Sequence, residues 1–212
     1  MTRPIGVLKC GGSLFTLPGL ARRLADFFEL EPHQAYNWVV LGGGGPFVDA
    51  VRTLDSCHTL GEERAHHLAM RALDTSAHAL CSVAPNLPMG VADSPEDFQA
   101  LWQLRKIPVF SPRKWLDQED LTAARLPHSW QTTSDSIAAH LAARLHAKSL
   151  VLAKRAPLPL DATVEQAARL GLVDETFPGV ARPLASIVWW RVSATEPGIP
   201  SLCLRPLAFA TE

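Results

Sequence analysis

The sequence has almost no net charge and few cysteines. Its 20 lysines and arginines nearly balance its 21 aspartates and glutamates, which leaves a formal charge of −1 with histidine neutral. That balance offers no basic surface for nucleic acid and no acidic tail. The 4 cysteines are scattered and form no CxxC pair: Cys10, Cys57, Cys81 and Cys203. This spacing disfavours a zinc site or a disulfide framework and is typical of reduced thiols in a cytosol.

Long hydrophobic runs are also missing, although 47% of the residues are hydrophobic and can form a sizeable core. No uncharged apolar run approaches the roughly 18 residues that a membrane-spanning helix requires. The first apolar run begins at Ile5, which leaves no room for a signal peptide. We find no repeat, low-complexity tract or convincing linker. The sequence therefore predicts a cytoplasmic protein with no membrane or nucleic-acid partner, folded as a single domain over residues 1–212.

Short apolar runs alternate with amphipathic segments along the chain. The runs predict strands at 5–8, 38–41, 89–91, 107–110, 149–153, 187–192 and 202–204. Hydrophobic residues at helical spacing predict helices at 17–30, 62–83, 137–145 and 162–170, with others after residues 46 and 94. This alternation predicts an α/β fold with a mostly parallel sheet that is covered on both faces.

Two glycine-rich turns follow two of the predicted strands. The first strand ends in Lys9-Cys10-Gly11-Gly12-Ser13, and another ends in Gly42-Gly43-Gly44-Gly45-Pro46. The N–H groups of such turns can cradle an anion, and a lysine adds a full positive charge. Ligands of parallel sheets lie beyond the carboxyl ends of the strands, where Lys154 also falls. We therefore predict one phosphate site, although no GxxxxGK[ST] loop occurs and each turn alone is equally compatible with an ordinary strand-to-helix connection.

Two further segments carry candidate site residues. The polar stretch 131–136 precedes an alanine-rich helix and is denser than a helix cap needs, although Ser134 or Asp135 as the cap is an alternative. On the helix 62–83, His66 and His67 diverge by about 100° and cannot easily share one metal ion, so we assign no metal ligand. His67 and Arg71 are four positions apart and can address one anion. The alternative for Arg71 is a solvent-exposed side chain.

Three blocks in this order resemble the amino-acid kinase family: residues 7–13, residues 39–44, and residues 133–142 leading into 149–152. The resemblance spans about residues 5–155. It implies a three-layer α/β/α sandwich and ATP as phosphoryl donor with Mg²⁺. It also implies a small-molecule acceptor that is a carboxylate or a phosphate. Because dimers are common in the family, it further implies a homodimer or a higher homo-oligomer.

The resemblance also implies the roles of single residues. Lys9 matches the lysine that bridges the transferring phosphoryl group, Asp135 matches the aspartate that organises the catalytic lysines, and Lys154 is the candidate for the second cation. The turn that holds the donor phosphates corresponds to Gly11 and Gly12, flanked by Ser13, Thr133 and Ser134. The acceptor is expected to lie against Gly43, Gly44 and Gly45, with His67 and Arg71 as further contacts.

Within the family, the short chain and the segments 65–73 and 172–177 most resemble the aminomethyl-furanmethanol phosphate kinase-like branch of one-carbon cofactor biosynthesis. This implies transfer of the γ-phosphoryl group of ATP to a phosphomonoester. Two alternatives stay open: a kinase of a carboxylate such as an amino acid, and a non-catalytic relative that binds nucleotide or oxyanion. The segment 154–159 motivates the second alternative, since nucleotide-dependent members carry an Asp-Gly-bearing loop there.

Overall fold

The computed structural model describes residues 3–123, 125–193 and 202–204. The strands are β1 Ile5–Cys10, β2 Asn37–Gly42, β3 Met89–Ala92, β4 Ile107–Phe110, β5 Ser149–Lys154, β6 Ile187–Arg191 and β7 Leu202–Leu204. The helices are α1 Leu20–Glu29, α2 Gly45–His58, α3 Glu62–Val83, α4 Glu96–Gln103, α5 Arg113–Glu119, α6 Ser134–Arg144, α7 Val164–Arg169 and α8 Phe177–Val180. Short 3-10 helices span Gly12–Thr16 and His33–Ala35.

The strands form one sheet in the order β3-β4-β2-β1-β5-β6-β7. All neighbours pair in parallel except β6 and β7, which are antiparallel. The central strand β1 aligns Lys9 with Leu41 of β2 and with Leu152 of β5. The predicted mostly parallel sheet is therefore confirmed, and its register places the end of β1 between the β2 glycine turn and Lys154.

Side chains of the central strands alternate between two buried layers. Val7 belongs to the layer that also contains buried residues of α6, whereas its neighbour Leu8 belongs to the layer that contains Leu24 and Phe27 of α1. Successive strand side chains point to opposite faces, so each central strand contributes to both layers. This arrangement confirms the three-layer α/β/α sandwich.

Helix α5 was not predicted, because its second half lies in a polar sequence. In the structure Trp115 and Leu116 are buried and attach this short helix to the core. Helix α6 begins at Ser134, three residues before the predicted start, because the side chain of Thr133 accepts a hydrogen bond from the Asp135 N–H and caps it. The cap is therefore Thr133, neither Ser134 nor Asp135. Among the described residues, none of the helices combines the length and hydrophobicity needed to cross a membrane.

Candidate active site

Two lysines meet one aspartate at the carboxyl ends of β1 and β5. The Lys9 Nζ atom lies 2.7 Å from Asp135 Oδ1, and the Lys154 Nζ atom lies 2.6 Å from Asp135 Oδ2. The side chains of Lys9 and Asp135 are each 5% exposed, and that of Lys154 is 16% exposed. Lys154 also donates a hydrogen bond to the carbonyl oxygen of Leu172 at 2.9 Å. These three residues are far apart in the sequence, and the pairing of β1 with β5 together with the packing of α6 brings them together.

The charges of this cluster stabilise one another. Burial acts to raise the pKa of Asp135, but the positive charges of Lys9 and Lys154 outweigh it and hold that pKa below its usual value. The pKa of Lys154 is lowered to about 8. Burial is the largest cause and repulsion from Lys9 is the second, while the negative charge of Asp135 opposes the shift. With both lysines protonated the cluster carries a net charge of +1, which suits an anion.

Asp174 holds the first turn of α6, which carries Asp135. Its carboxylate accepts hydrogen bonds from the N–H and hydroxyl groups of Thr133, at 3.0 and 2.7 Å, and from the N–H of Ser136 at 3.1 Å. The hydroxyl group of Ser136 and the N–H of Phe177 donate to it as well. The segment 172–177 supported the family resemblance, but no role was assigned to Asp174 from the sequence. The excess of hydroxyl groups at 131–136 was the signal that these donors need an acceptor.

The two glycine turns pack directly against each other. A Cβ atom on Gly12 would overlap the backbone of Gly45, and Gly45 itself has a positive φ of 47°. The N–H of Gly11 donates to the Ala153 carbonyl at 2.8 Å, and the N–H of Gly43 donates to the Cys10 carbonyl at 2.7 Å. The Gly11 N–H is therefore already used within the fold, and the predicted role of Gly11 at the donor phosphates stays a prediction.

A cavity of about 230 Å³ opens beside the lysine cluster. Of the predicted site residues, it is lined by Lys9, Gly12, Gly44, Gly45, Thr133, Ser134, Asp135 and Lys154. The lining does not include Gly11, Ser13, Gly43, His67 or Arg71. The cavity therefore lies where the turns of β1 and β2 meet the start of α6.

His67 and Arg71 lie on the outer face of α3 and do not line the cavity, so their predicted contact with the acceptor stays a prediction. Arg71 is exposed, and the His67 side chain is 52% exposed, with its Nε2 atom 3.3 Å from Glu63 Oε1. Successive helix residues diverge by about 100°, so His66 lines the cavity while His67 does not. Sequence periodicity identified the shared face of His67 and Arg71 but could not decide which face meets the site.

Besides the lysine cluster, the cavity lining carries further charges of both signs. The guanidinium group of Arg52 lies 4.3 Å from the ring centre of Trp130, and the Trp130 Nε1–H donates to Asp55 at 2.8 Å. Asp49 and Glu62 also line the cavity. Among the described residues, Arg52, Asp49 and Glu62 form no ion pair, so these charges are available to a ligand.

Comparison with known proteins identifies the relatives of this chain. The sequence profile described as "Amino acid kinase family" matches residues 4–158. The [5-(aminomethyl)furan-3-yl]methyl phosphate kinase of Methanocaldococcus jannaschii is 24% identical over 148 residues, which are 69% of this chain and 64% of that protein. The matched region therefore spans less than two thirds of that relative.

Solved structures of low sequence identity share the fold. The UMP kinase from Ureaplasma parvum superimposes with a TM-score of 0.65 at 14% identity, covering 93% of this chain and 92% of that one. The aspartate kinase from Synechocystis superimposes with a TM-score of 0.64 at 16% identity, covering 96% of this chain and 40% of that one.

Proposed function

The chain belongs to the amino acid kinase family, and from this premise we propose that it transfers the γ-phosphoryl group of ATP to a small phosphomonoester. The observation that carries the proposal is the contact of Lys9 and Lys154 with the two oxygens of Asp135 beside the interlocked glycine turns. Phosphoryl transfer needs little covalent chemistry from the protein, so positioning and charge stabilisation supply most of the catalysis.

The proposed mechanism assigns a separate task to each charged residue of the cluster. The Lys9 ammonium group, at the junction of the two turns, donates to the oxygens of the transferring phosphoryl group. Lys154 contacts the donor side, and Asp135 holds both ammonium groups at fixed positions. Asp135 does not act as the general base, because each of its oxygens already faces a lysine. For the same reason we expect the ATP phosphates, and not Asp135, to carry most of the Mg²⁺ coordination.

The cavity supports a small acceptor. Its volume of about 230 Å³ lies below the about 300 Å³ at which pockets for drug-sized ligands begin. Arg52 supplies a guanidinium group that can grip a phosphate with two parallel hydrogen bonds. Asp49 and Glu62 supply carboxylates for an ammonium group. We therefore propose an acceptor with both an amine and a phosphate, which is also the kind of substrate named for the Methanocaldococcus jannaschii relative.

The direct test measures phosphoryl transfer from ATP to a panel of acceptors in the presence of Mg²⁺. The panel contains small phosphomonoesters with and without an amine, UMP, aspartate and glutamate, and the products are identified by mass spectrometry. We expect a diphosphate product from the amine-bearing phosphomonoesters. Turnover of carboxylates alone would favour the amino-acid kinase alternative. Nucleotide binding without turnover of any acceptor would favour the non-catalytic alternative.

Lys9→Ala is the variant that tests the site itself. Removing one contact to the transition-state charge costs about 10²–10³ in rate, so we expect a loss of at least that size with the fold retained. Lys148→Ala is the control, because Lys148 is exposed and directly precedes β5, at the opposite end of that strand from Lys154. Wild-type turnover in a folded Lys9→Ala protein would contradict the proposed mechanism.

A further inference from the structure

Three side chains outside the lysine cluster converge beside the cavity: His66, Asp120 and His128. One nitrogen or oxygen atom of each lies within 4.8 Å of the other two. His66 belongs to α3, Asp120 directly follows α5, and His128 lies in the segment before α6. The imidazole rings of His66 and His128 are stacked, with centres 3.8 Å apart and planes 12° apart. Distant parts of the chain therefore place two imidazoles and one carboxylate close together.

A fourth residue orients one of the imidazoles. The Nε2 atom of His128 lies 2.9 Å from Asp120 Oδ2, and its Nδ1 atom lies 3.0 Å from Glu63 Oε2. Histidines that ligate metals usually donate the N–H of their other nitrogen to a carboxylate, which fixes the tautomer and the ring orientation. Glu63 is placed to do this for His128. The side chains of His128 and Asp120 are 18% and 22% exposed, so both are partly shielded from water.

We propose that His66, Asp120 and His128 bind one divalent transition-metal ion, with Zn²⁺ as the best match, and that Glu63 supports His128. Two imidazoles and a carboxylate suit Zn²⁺, Co²⁺ or Ni²⁺, whereas Mg²⁺ prefers a shell of oxygen ligands. Zinc bonds to nitrogen of about 2.0–2.1 Å require the three ligand atoms to move closer together. Because the two imidazole planes are nearly parallel, one ring must also rotate so that both nitrogen lone pairs point at the ion, and the partial exposure of both histidines permits this rotation.

The site lies beside the cavity, because His66 is one of the cavity-lining residues, and a tetrahedral ion held there would have a fourth position. Three protein ligands leave that position to water or to an oxygen of another ligand. The site therefore differs from the structural zinc sites that are closed by four protein ligands. The proposal does not depend on phosphoryl transfer, since the ion and its open position can be detected without ATP.

Calorimetry with Zn²⁺ and visible spectroscopy with Co²⁺, both on the full chain after chelator treatment, test the proposal. We expect one ion per chain and the absorption of tetrahedral Co²⁺. His66→Ala and His128→Ala are expected to abolish this binding, while Glu63→Gln is expected to weaken it by about 10–100-fold, as loss of a supporting carboxylate does. Circular dichroism checks that each variant is folded. Asp120→Asn is the conservative variant if an alanine variant does not fold.

Two control variants separate this site from other metal-binding groups. His78→Ala removes an exposed histidine from the same helix, and Cys57→Ser removes an exposed thiol; neither is expected to change Co²⁺ binding. Inorganic phosphate is the probe for the open position and is expected to shift the Co²⁺ bands. Absence of stoichiometric binding, or unchanged binding in the folded His66 and His128 variants, would overturn the proposal and leave an ion-pair cluster. A Co²⁺ spectrum that phosphate does not alter would refute the open position.

Discussion

At the scale of single residues, Asp135 holds two lysine side chains with one carboxylate. It is buried, and its two oxygens face two different ammonium groups at 2.7 and 2.6 Å. A carboxylate can hold both groups because its negative charge offsets their mutual repulsion. An amide of the same shape cannot do so, since it carries no charge and one of its two ends is a donor.

Asp135→Asn is therefore expected to lower kcat by about 10²–10³, because the two ammonium groups lose their alignment with the transition state. Most of the affinity for ATP is expected to be kept. Helix α6 is expected to persist, because its cap is Thr133. Steady-state kinetics and nucleotide titration measure the two effects. Unchanged kinetics would mean that Asp135 has a structural role only.

The pH dependence of the reaction is expected to report Lys154. Burial and the charge of Lys9 lower its pKa to about 8, so the ammonium form is present below that pH and is lost as the pH rises through it. If the charged form assists transfer, kcat/KM falls on the alkaline side near pH 8, because kcat/KM reports the free enzyme. Lys154→Arg stays charged throughout this range. We expect a slower variant without the alkaline fall, and a fall that persists in Lys154→Arg would assign it to another group.

At the scale of secondary-structure elements, the start of α6 depends on a partner that is distant in sequence. Asp174 lies three residues before α8 and receives hydrogen bonds from both Thr133 and Ser136, 41 and 38 positions away. Negative charge at a helix N-terminus is also favourable for the helix dipole. The two elements together fix the orientation in which Asp135 meets the lysines.

Asp174→Asn is expected to destabilise the protein and to lower kcat. A hydrogen bond to a charged group contributes about 1.5–3 kcal/mol, so we expect a loss of about 2 kcal/mol in the free energy of unfolding, measured by urea denaturation. The KM for the acceptor is expected to change little, because Asp174 does not line the cavity. Glu175→Gln, at the exposed neighbouring position, is the control. Retention of wild-type stability and kcat would rule out this positioning role.

At the scale of the whole molecule, Phe27 connects helices and strands from opposite ends of the chain. Its ring is stacked on Trp190 of β6 at a centroid distance of 4.8 Å and meets Trp38 of β2 edge-on at 5.0 Å. The side chain is 1% exposed. Because early and late segments share this core layer, we expect residues 1–212 to unfold as one domain. The predicted homo-oligomer stays a prediction, which light scattering of the purified protein tests.

Phe27→Ala is expected to cost about 3–5 kcal/mol of unfolding free energy, as large-to-small substitutions of buried aromatics do. Phe28→Ala is the matched control and is expected to cost less, because Phe28 is only partly buried. Urea unfolding is followed by tryptophan fluorescence and by circular dichroism. Coincident transitions from the two probes support a single domain, whereas two separate transitions would contradict it.

Local patterns in the sequence determined most of the helices and strands and part of the site. The strand and helix alternation follows from hydrophobic periodicity, which depends only on neighbouring residues. Lys9 and the glycines of both turns could be identified because a strand end followed by glycines has a local signature. The resemblance to the amino-acid kinase family added the alignment of Asp135 and Lys154 with catalytic residues, and those roles await the kinetic tests.

The tertiary structure alone decided which distant side chains meet. Local periodicity does not encode how a helix is rotated about its axis, so it could not show that His66 faces the cavity while His67 and Arg71 face outward. Nor could it pair Asp174 with Thr133, or His128 with Asp120. Such contacts depend on the strand order and on the packing of helices across the sheet, which are set by the burial of the whole core and not by any one segment.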